Sequence, residues 1–133
     1  MILGLDISTS ITGATLIDTN GNVVVMESID TRKYKNFFEK AEKVKSFLTN
    51  LSKEHKVEEV YIEQSLQSFR SGFSSAKTLS TLSRFNGVVS WMCYSIWSIE
   101  PLRENCVVSK FQKGKKQNQL FYNMFLTMNL LSW

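Results

Sequence analysis

The sequence predicts an α/β fold, with a mixed sheet that begins as an antiparallel three-strand meander and continues through β-α units with helices packed on it. Three observations lead there. Residues 1–30 hold three short apolar runs separated by turn residues, and Asn20-Gly21, the strongest short hairpin signal, stands between the second and third. Apolar residues then recur at helical spacing. After them comes Val60-Tyr61-Ile62, a continuous apolar run of the kind shown by a strand covered by helices on both faces.

Strands are expected at about residues 2–8, 13–18 and 22–29. Residues 9–12 form the first turn, and Gly13 permits close backbone approach or an unusual φ. Over about residues 36–54, Phe37, Ala41, Val44, Leu48 and Leu51 mark one buried stripe among Lys and Glu, the pattern of a surface helix. The fourth strand lies within 56–64. Residues 65–74 are polar but interrupted by Leu66, Phe69 and Phe73, and read as a lid or a ragged helix start. Ser74 or Ser75 then caps a helix to about residue 93. Its small residues Ala76, Ser80, Ser83, Gly87 and Ser90 are expected to let it lie close against the sheet. A further strand is expected near 96–99, before Pro101, and a last helix over 117–131 with Leu120, Met124, Phe125, Met128 and Leu131 on its apolar face.

At 133 residues and 43% apolar content, one compact domain over 1–133 is expected. The chain has no signal-peptide pattern and no run of about 18 apolar residues, so a soluble, reduced, cytoplasmic protein without a membrane partner is expected. Cys93 reads as core, a disulfide to Cys106 is not expected, and one histidine with two separated cysteines does not make a zinc site. The net charge of +4 conceals a gradient. Residues 1–31 carry Asp6, Asp18, Glu27 and Asp30 with no Lys or Arg, so the remainder sets 16 basic against eight acidic residues. A basic body around an acidic beginning suits a protein that attracts a phosphate backbone and keeps carboxylates for metal; a generically soluble surface is the plainer reading.

Asp6 ends the apolar run Ile2-Leu3-Gly4-Leu5, and Glu63 follows Val60-Tyr61-Ile62. A carboxylate in such a context is costly unless a cation meets it. If the first and fourth strands are neighbours, both acids emerge about one strand spacing apart, roughly 5 Å. Such a pair offers hard oxygen ligands to Mg²⁺ or Mn²⁺ and leaves coordination positions for water and phosphate. In phosphodiester hydrolysis, two such ions roughly 3.5–4 Å apart serve to activate the attacking water and stabilise the departing 3′ oxygen. Asp6 and Glu63 are therefore the candidate metal ligands and catalytic residues. The alternative for Asp6 is a strand-end acid bonded to the turn that follows it. Asp18 and Asp30 read as turn residues, Glu27 as solvent-facing, and His55 as a helix-end residue.

Gly4-Leu5-Asp6-Ile7-Ser8 with Thr12-Gly13, followed by Ile62-Glu63-Gln64 in this order and spacing, resembles the RuvC-like Holliday-junction resolvases of the RNase H-like superfamily. Residues 66–76 and 79–87 look especially like phage-encoded members, and the resemblance covers about residues 1–100. It implies an RNase H-like fold and a dimeric endonuclease that cuts paired strands of four-way-junction DNA with two divalent metals. Asp6 would stand for the family's first-strand catalytic aspartate and Glu63 for the glutamate ending its fourth strand. The resemblance also implies that residues 66–73 enter the substrate cleft and that the helix over about 75–93 contributes to the dimer interface. Two further acids of the family, near the start of a C-terminal helix, have no counterpart, since no Asp, Glu or His follows Glu104. Truncation or frameshift is the favoured explanation, against a complementing segment elsewhere or a non-catalytic descendant that binds junctions.

Arg70, Lys77 and Arg84, spaced by seven, stay near one side of a straight helix and are candidate DNA-phosphate contacts. Lys113, Lys115 and Lys116 are candidates as the densest late basic patch; a solvated face or loop is the alternative for all six. Phe69 and Phe73 are candidate wedges at a junction centre, with core packing or a dimer contact as the alternative. Two other function classes stay open. One is an actin-like or sugar-kinase-like nucleotide-binding fragment, which also begins with a G-x-D-x-x-T-S strand. The other is a branched-DNA-binding or dimerisation module without catalysis.

Overall fold

A computed structural model describes residues 1–63 and 75–104. Along the chain come β1 (Ile2–Asp6), β2 (Ile11–Ile17), β3 (Val23–Asp30), α1 (Phe37–Glu54), β4 (Glu59–Glu63), α2 (Ala76–Trp97) and β5 (Leu102–Glu104). The strands form one sheet in the order β3-β2-β1-β4-β5. β1, β2 and β3 pair antiparallel, whereas β4 runs parallel to both β1 and β5. This is the mixed α/β sheet that the sequence predicts.

Local chemistry explains the elements. Between β2 and β3, Gly21 takes φ 85°, and the Asp18 carboxylate accepts the backbone N–H groups of Asn20 and Asn22 at 2.9 Å each. Those bonds hold the Asp18 carboxyl below its ordinary range and confirm it as a turn residue. Asn36 caps α1, its Oδ1 accepting from Phe38 N–H at 2.8 Å. α1 ends at His55, whose extended backbone still donates its N–H to the Leu51 carbonyl at 3.0 Å.

Strand register sorts the side chains onto two faces. Leu3 and Leu5 of β1 lie opposite Leu16 and Ala14 of β2 and opposite Val60 and Ile62 of β4. These residues share one core with the buried stripe of α1 (Ala41, Val44, Leu48, Leu51) and with Phe85, Val89, Met92 and Cys93 of α2. Full burial of each aliphatic side chain there contributes about 2 kcal/mol. Phe37 and Phe85 join the two helices edge to face, with ring centroids 5.3 Å apart. The Cys93 thiol is free and buried, and burial pushes its pKa up to about 12. The second face of the sheet carries Gly4, Asp6, Gly13, Thr15, Tyr61 and Glu63 by the same register. Both described helices cover one face of β4, and Tyr61 and Thr15 on the sheet's other side are buried too.

Three expectations need correction. No strand forms at 96–99: α2 continues through Trp97 and stops at Ser98, which adopts the left-handed conformation (φ 57°, ψ 32°) and bonds back to Tyr94. Ile96, Trp97 and Ile99 are apolar because they pack against the core from the end of a helix, and the strand comes after Pro101 as β5. The small residues of α2 do not face the sheet. Ala76, Ser80, Ser83 and Gly87 are exposed, a Cβ at Gly87 would meet nothing within 4 Å, and the contacting side is the bulky one. The first turn lies earlier than expected, because Thr12 and Gly13 are already inside β2, where Gly13 has no positive φ.

The expected lid over 65–74, the last helix over 117–131 and Cys106 lie outside the described residues. None of the described helices is long and apolar enough to cross a membrane.

Candidate metal and nucleic-acid site

Leu5 pairs with Ile62 across the parallel strands, so one residue further on Asp6 stands beside Glu63, each the last residue of its strand. The two side chains hydrogen-bond to one another. Burial pushes the Asp6 carboxyl above its ordinary range, and the bond to Glu63 opposes that push. The Asp6 side chain bonds to Glu63 on the neighbouring strand, and the turn that follows is held by Thr12, Lys40 and Thr31.

The face around Asp6 is not bare sheet: Thr15 is fully buried on it and Tyr61 is buried as well. On the Asp6 face, the neighbour two residues back is Gly4 and the residue opposite on β2 is Gly13, so neither puts a side chain against the carboxylate. The register runs in a row across the sheet: Ser28 on β3, Gly13 on β2, Asp6, Glu63, then Glu104 on β5. Sequence reasoning missed Glu104's position because it placed the fifth strand before Pro101. Leu102 after Pro101, leading to an acid as Leu5 leads to Asp6, was the available signal. Thr15, fully buried on the same face, has a hydroxyl with no hydrogen-bond partner among the described residues.

The donor set fits one hard divalent ion held by two carboxylates. Among the described residues, no group of three or more His, Cys, Asp or Glu side chains comes together, so the described side chains do not build a second site. Asp30 is engaged elsewhere: Arg32 approaches it at 2.6 Å and holds its carboxyl down to about 2.

The structure does not bring the helix cations to this corner. Lys77 and Arg84 are both exposed on α2, which belongs to the layer covering the opposite face of the sheet. Arg84 lines a groove of about 720 Å³ between α1 and α2 with Phe37, Phe38, Gly87, Val88 and Trp91. Phe38 and Trp91 there are 72% and 65% exposed. Arg70, Phe69, Phe73, Lys113, Lys115 and Lys116 lie outside the described residues.

No protein-family model matches the sequence, and no curated protein matches it significantly. Solved structures do match in fold. The RuvC of T. thermophilus in complex with a Holliday junction substrate superposes with a TM-score of 0.66 at 11% identity, over 79% of this chain and 64% of that one. A second Thermus thermophilus RuvC structure matches with a TM-score of 0.60 at 12% identity, over 96% of this chain and 78% of that one. The chain thus spans less than two thirds of the junction-bound RuvC. At this identity the likeness establishes fold alone: the chain shares the α/β fold of these RuvC structures.

Proposed function

We propose that the chain acts on branched DNA as a structure-selective endonuclease of the Holliday-junction resolvase type, with Asp6 and Glu63 as its metal ligands and catalytic residues. The observation that carries this reading is the meeting of those two carboxylates at the carboxyl ends of neighbouring parallel strands, one of them raised in pKa by burial. Asp6 and Glu63 bind and orient the cation, and their fixed strand positions set where a phosphodiester can approach. Bound Mg²⁺ or Mn²⁺ supplies Lewis acidity to the phosphoryl oxygen and lowers the pKa of water. Gly4 and Gly13 themselves put no side chain beside Asp6 on this face.

DNA-backbone contacts are assigned to Arg70, Lys77, Arg84, Lys113, Lys115 and Lys116, and junction wedging to Phe69 and Phe73. A homodimer, in which α2 contributes to the interface, would present two such centres to the paired strands of a junction. The fold shared with a RuvC bound to a Holliday junction supports branched DNA as the substrate class. A second reading, a branched-DNA-binding module without turnover, is favoured by the two-carboxylate donor set among the described residues.

Labelled four-way junction, linear duplex and single strand, incubated with the protein in Mg²⁺ or Mn²⁺ across salt, test both readings. Junction-selective binding with metal-dependent cutting that D6N abolishes supports the nuclease. Selective binding without cutting leaves the binding module, and equal binding to all three DNAs contradicts both. D6N should retain most of the binding, because phosphate contacts rather than metal set it.

A further inference from the structure

We propose that the turn at residues 8–10, between β1 and β2, is a phosphate-contacting element preset by Lys40 and Thr31; as a nucleic-acid contact, it rests on the nuclease reading above. Three consecutive carbonyls of this turn are tied inward. Ser8 O accepts the Thr12 hydroxyl at 3.0 Å. Thr9 O accepts the Lys40 ammonium at 2.6 Å and the Thr31 hydroxyl at 2.9 Å. Ser10 O accepts the Thr31 N–H at 2.8 Å and its hydroxyl at 3.1 Å. Thr31 is fully buried, so these bonds are shielded from competing water.

In a trans peptide the N–H points away from the preceding carbonyl. The Thr9 carbonyl turns toward α1 and the start of the β3–α1 connection, so the Ser10 N–H faces the other way, while the Ser8 carbonyl turns toward Thr12 of β2. The Ser10 N–H bonds to Ser8 Oγ at 3.1 Å. The Thr9 N–H and the hydroxyls of Thr9 and Ser10 make no hydrogen bond among the described residues. The result is a braced turn that leaves one backbone N–H and two hydroxyls without partners among the described residues and has an ammonium bonded behind it, donors of the kind that contact a phosphate. Its residues begin two positions after Asp6, at the same end of β1, so a phosphate held here adjoins the carboxylate pair. No long side chain on residues 8–10 can reach a base edge, so the contact is to the sugar-phosphate backbone and independent of sequence.

The test is a titration of the isotope-labelled full chain, without metal, using inorganic phosphate and separately a short single-stranded oligonucleotide. Saturable shifts of the Thr9 and Ser10 amides are expected with both probes. The double substitution T9A and S10A should weaken oligonucleotide binding about five-fold while leaving thermal stability unchanged. K40M should weaken it comparably, and K40R should restore it by returning a cationic donor to the Thr9 carbonyl. Absence of amide shifts with either probe, or unchanged affinity in the T9A/S10A chain, overturns the phosphate contact. Full affinity in K40M overturns the presetting role. None of these readouts requires metal or cutting: failure of Mn²⁺ to bind at Asp6 and Glu63 would remove the nuclease reading while leaving the amide shifts in place.

Discussion

Asp6 is the residue on which the chemistry turns, and its protonation makes that testable without any substrate. Burial raises its carboxyl above the ordinary aspartate value of 3.8, so the folded chain binds that proton more tightly than the unfolded chain does. Stability from this group is therefore fully present below 3.8 and is lost as pH rises through the raised folded value. At pH 7 in chelator the ionised pair costs stability, and D6N is expected to melt at a higher temperature than the parent chain. Added Mn²⁺ should raise the melting temperature of the parent and not of D6N; a D6N chain that melts lower at pH 7 and equally gains from Mn²⁺ would contradict this reading. Asp6 and Glu63 were legible in the sequence because a carboxylate closing an apolar strand is an anomaly that burial alone does not explain. The register position of Glu104 was not, since it depends on where β5 begins. Nor was the Lys40–Thr9 bond, which joins residues 31 apart and leaves no local pattern.

At the level of elements, α1 announced itself fully: an Asn cap, one apolar stripe and charged residues between them. α2 did not, for a physical reason. Its exposed side carries Trp91 and Tyr94 and its buried side includes Asn86, so hydrophobicity does not separate its faces, and the small residues that look like a packing stripe face solvent. Its end was equally obscure, because Ile96 and Trp97 read as strand residues until Ser98 is seen to close the helix in a left-handed conformation. That conformation strains a residue with a Cβ, and glycine relieves it. S98G is expected to stabilise the chain by about 1 kcal/mol in denaturant unfolding, with the near-ultraviolet spectrum unchanged. Destabilisation by S98G would show that the serine contributes more than its backbone conformation. The β2–β3 hairpin was legible from Asn20-Gly21, whereas the pairing of β1 with β4, across the whole of α1, followed only from assuming they were neighbours.

For the whole molecule, the sheet order β3-β2-β1-β4-β5 does the organising. It sets the two acid-bearing strands side by side, and the described helices cover the opposite face, leaving Asp6 and Glu63 to meet at one strand end. The chain after residue 31 carries a basic excess suited to a polyanion. The fold shared with RuvC at 11% and 12% identity fits this division, since such distant likeness preserves topology rather than surface. Everything proposed about cutting depends on whether the corner holds a divalent ion. Calorimetric titration of Mn²⁺ into the parent chain, D6N and E63Q decides it. The parent should bind Mn²⁺ with both variants weakened at least about tenfold; equal affinity in all three would show that Asp6 and Glu63 are not a metal site.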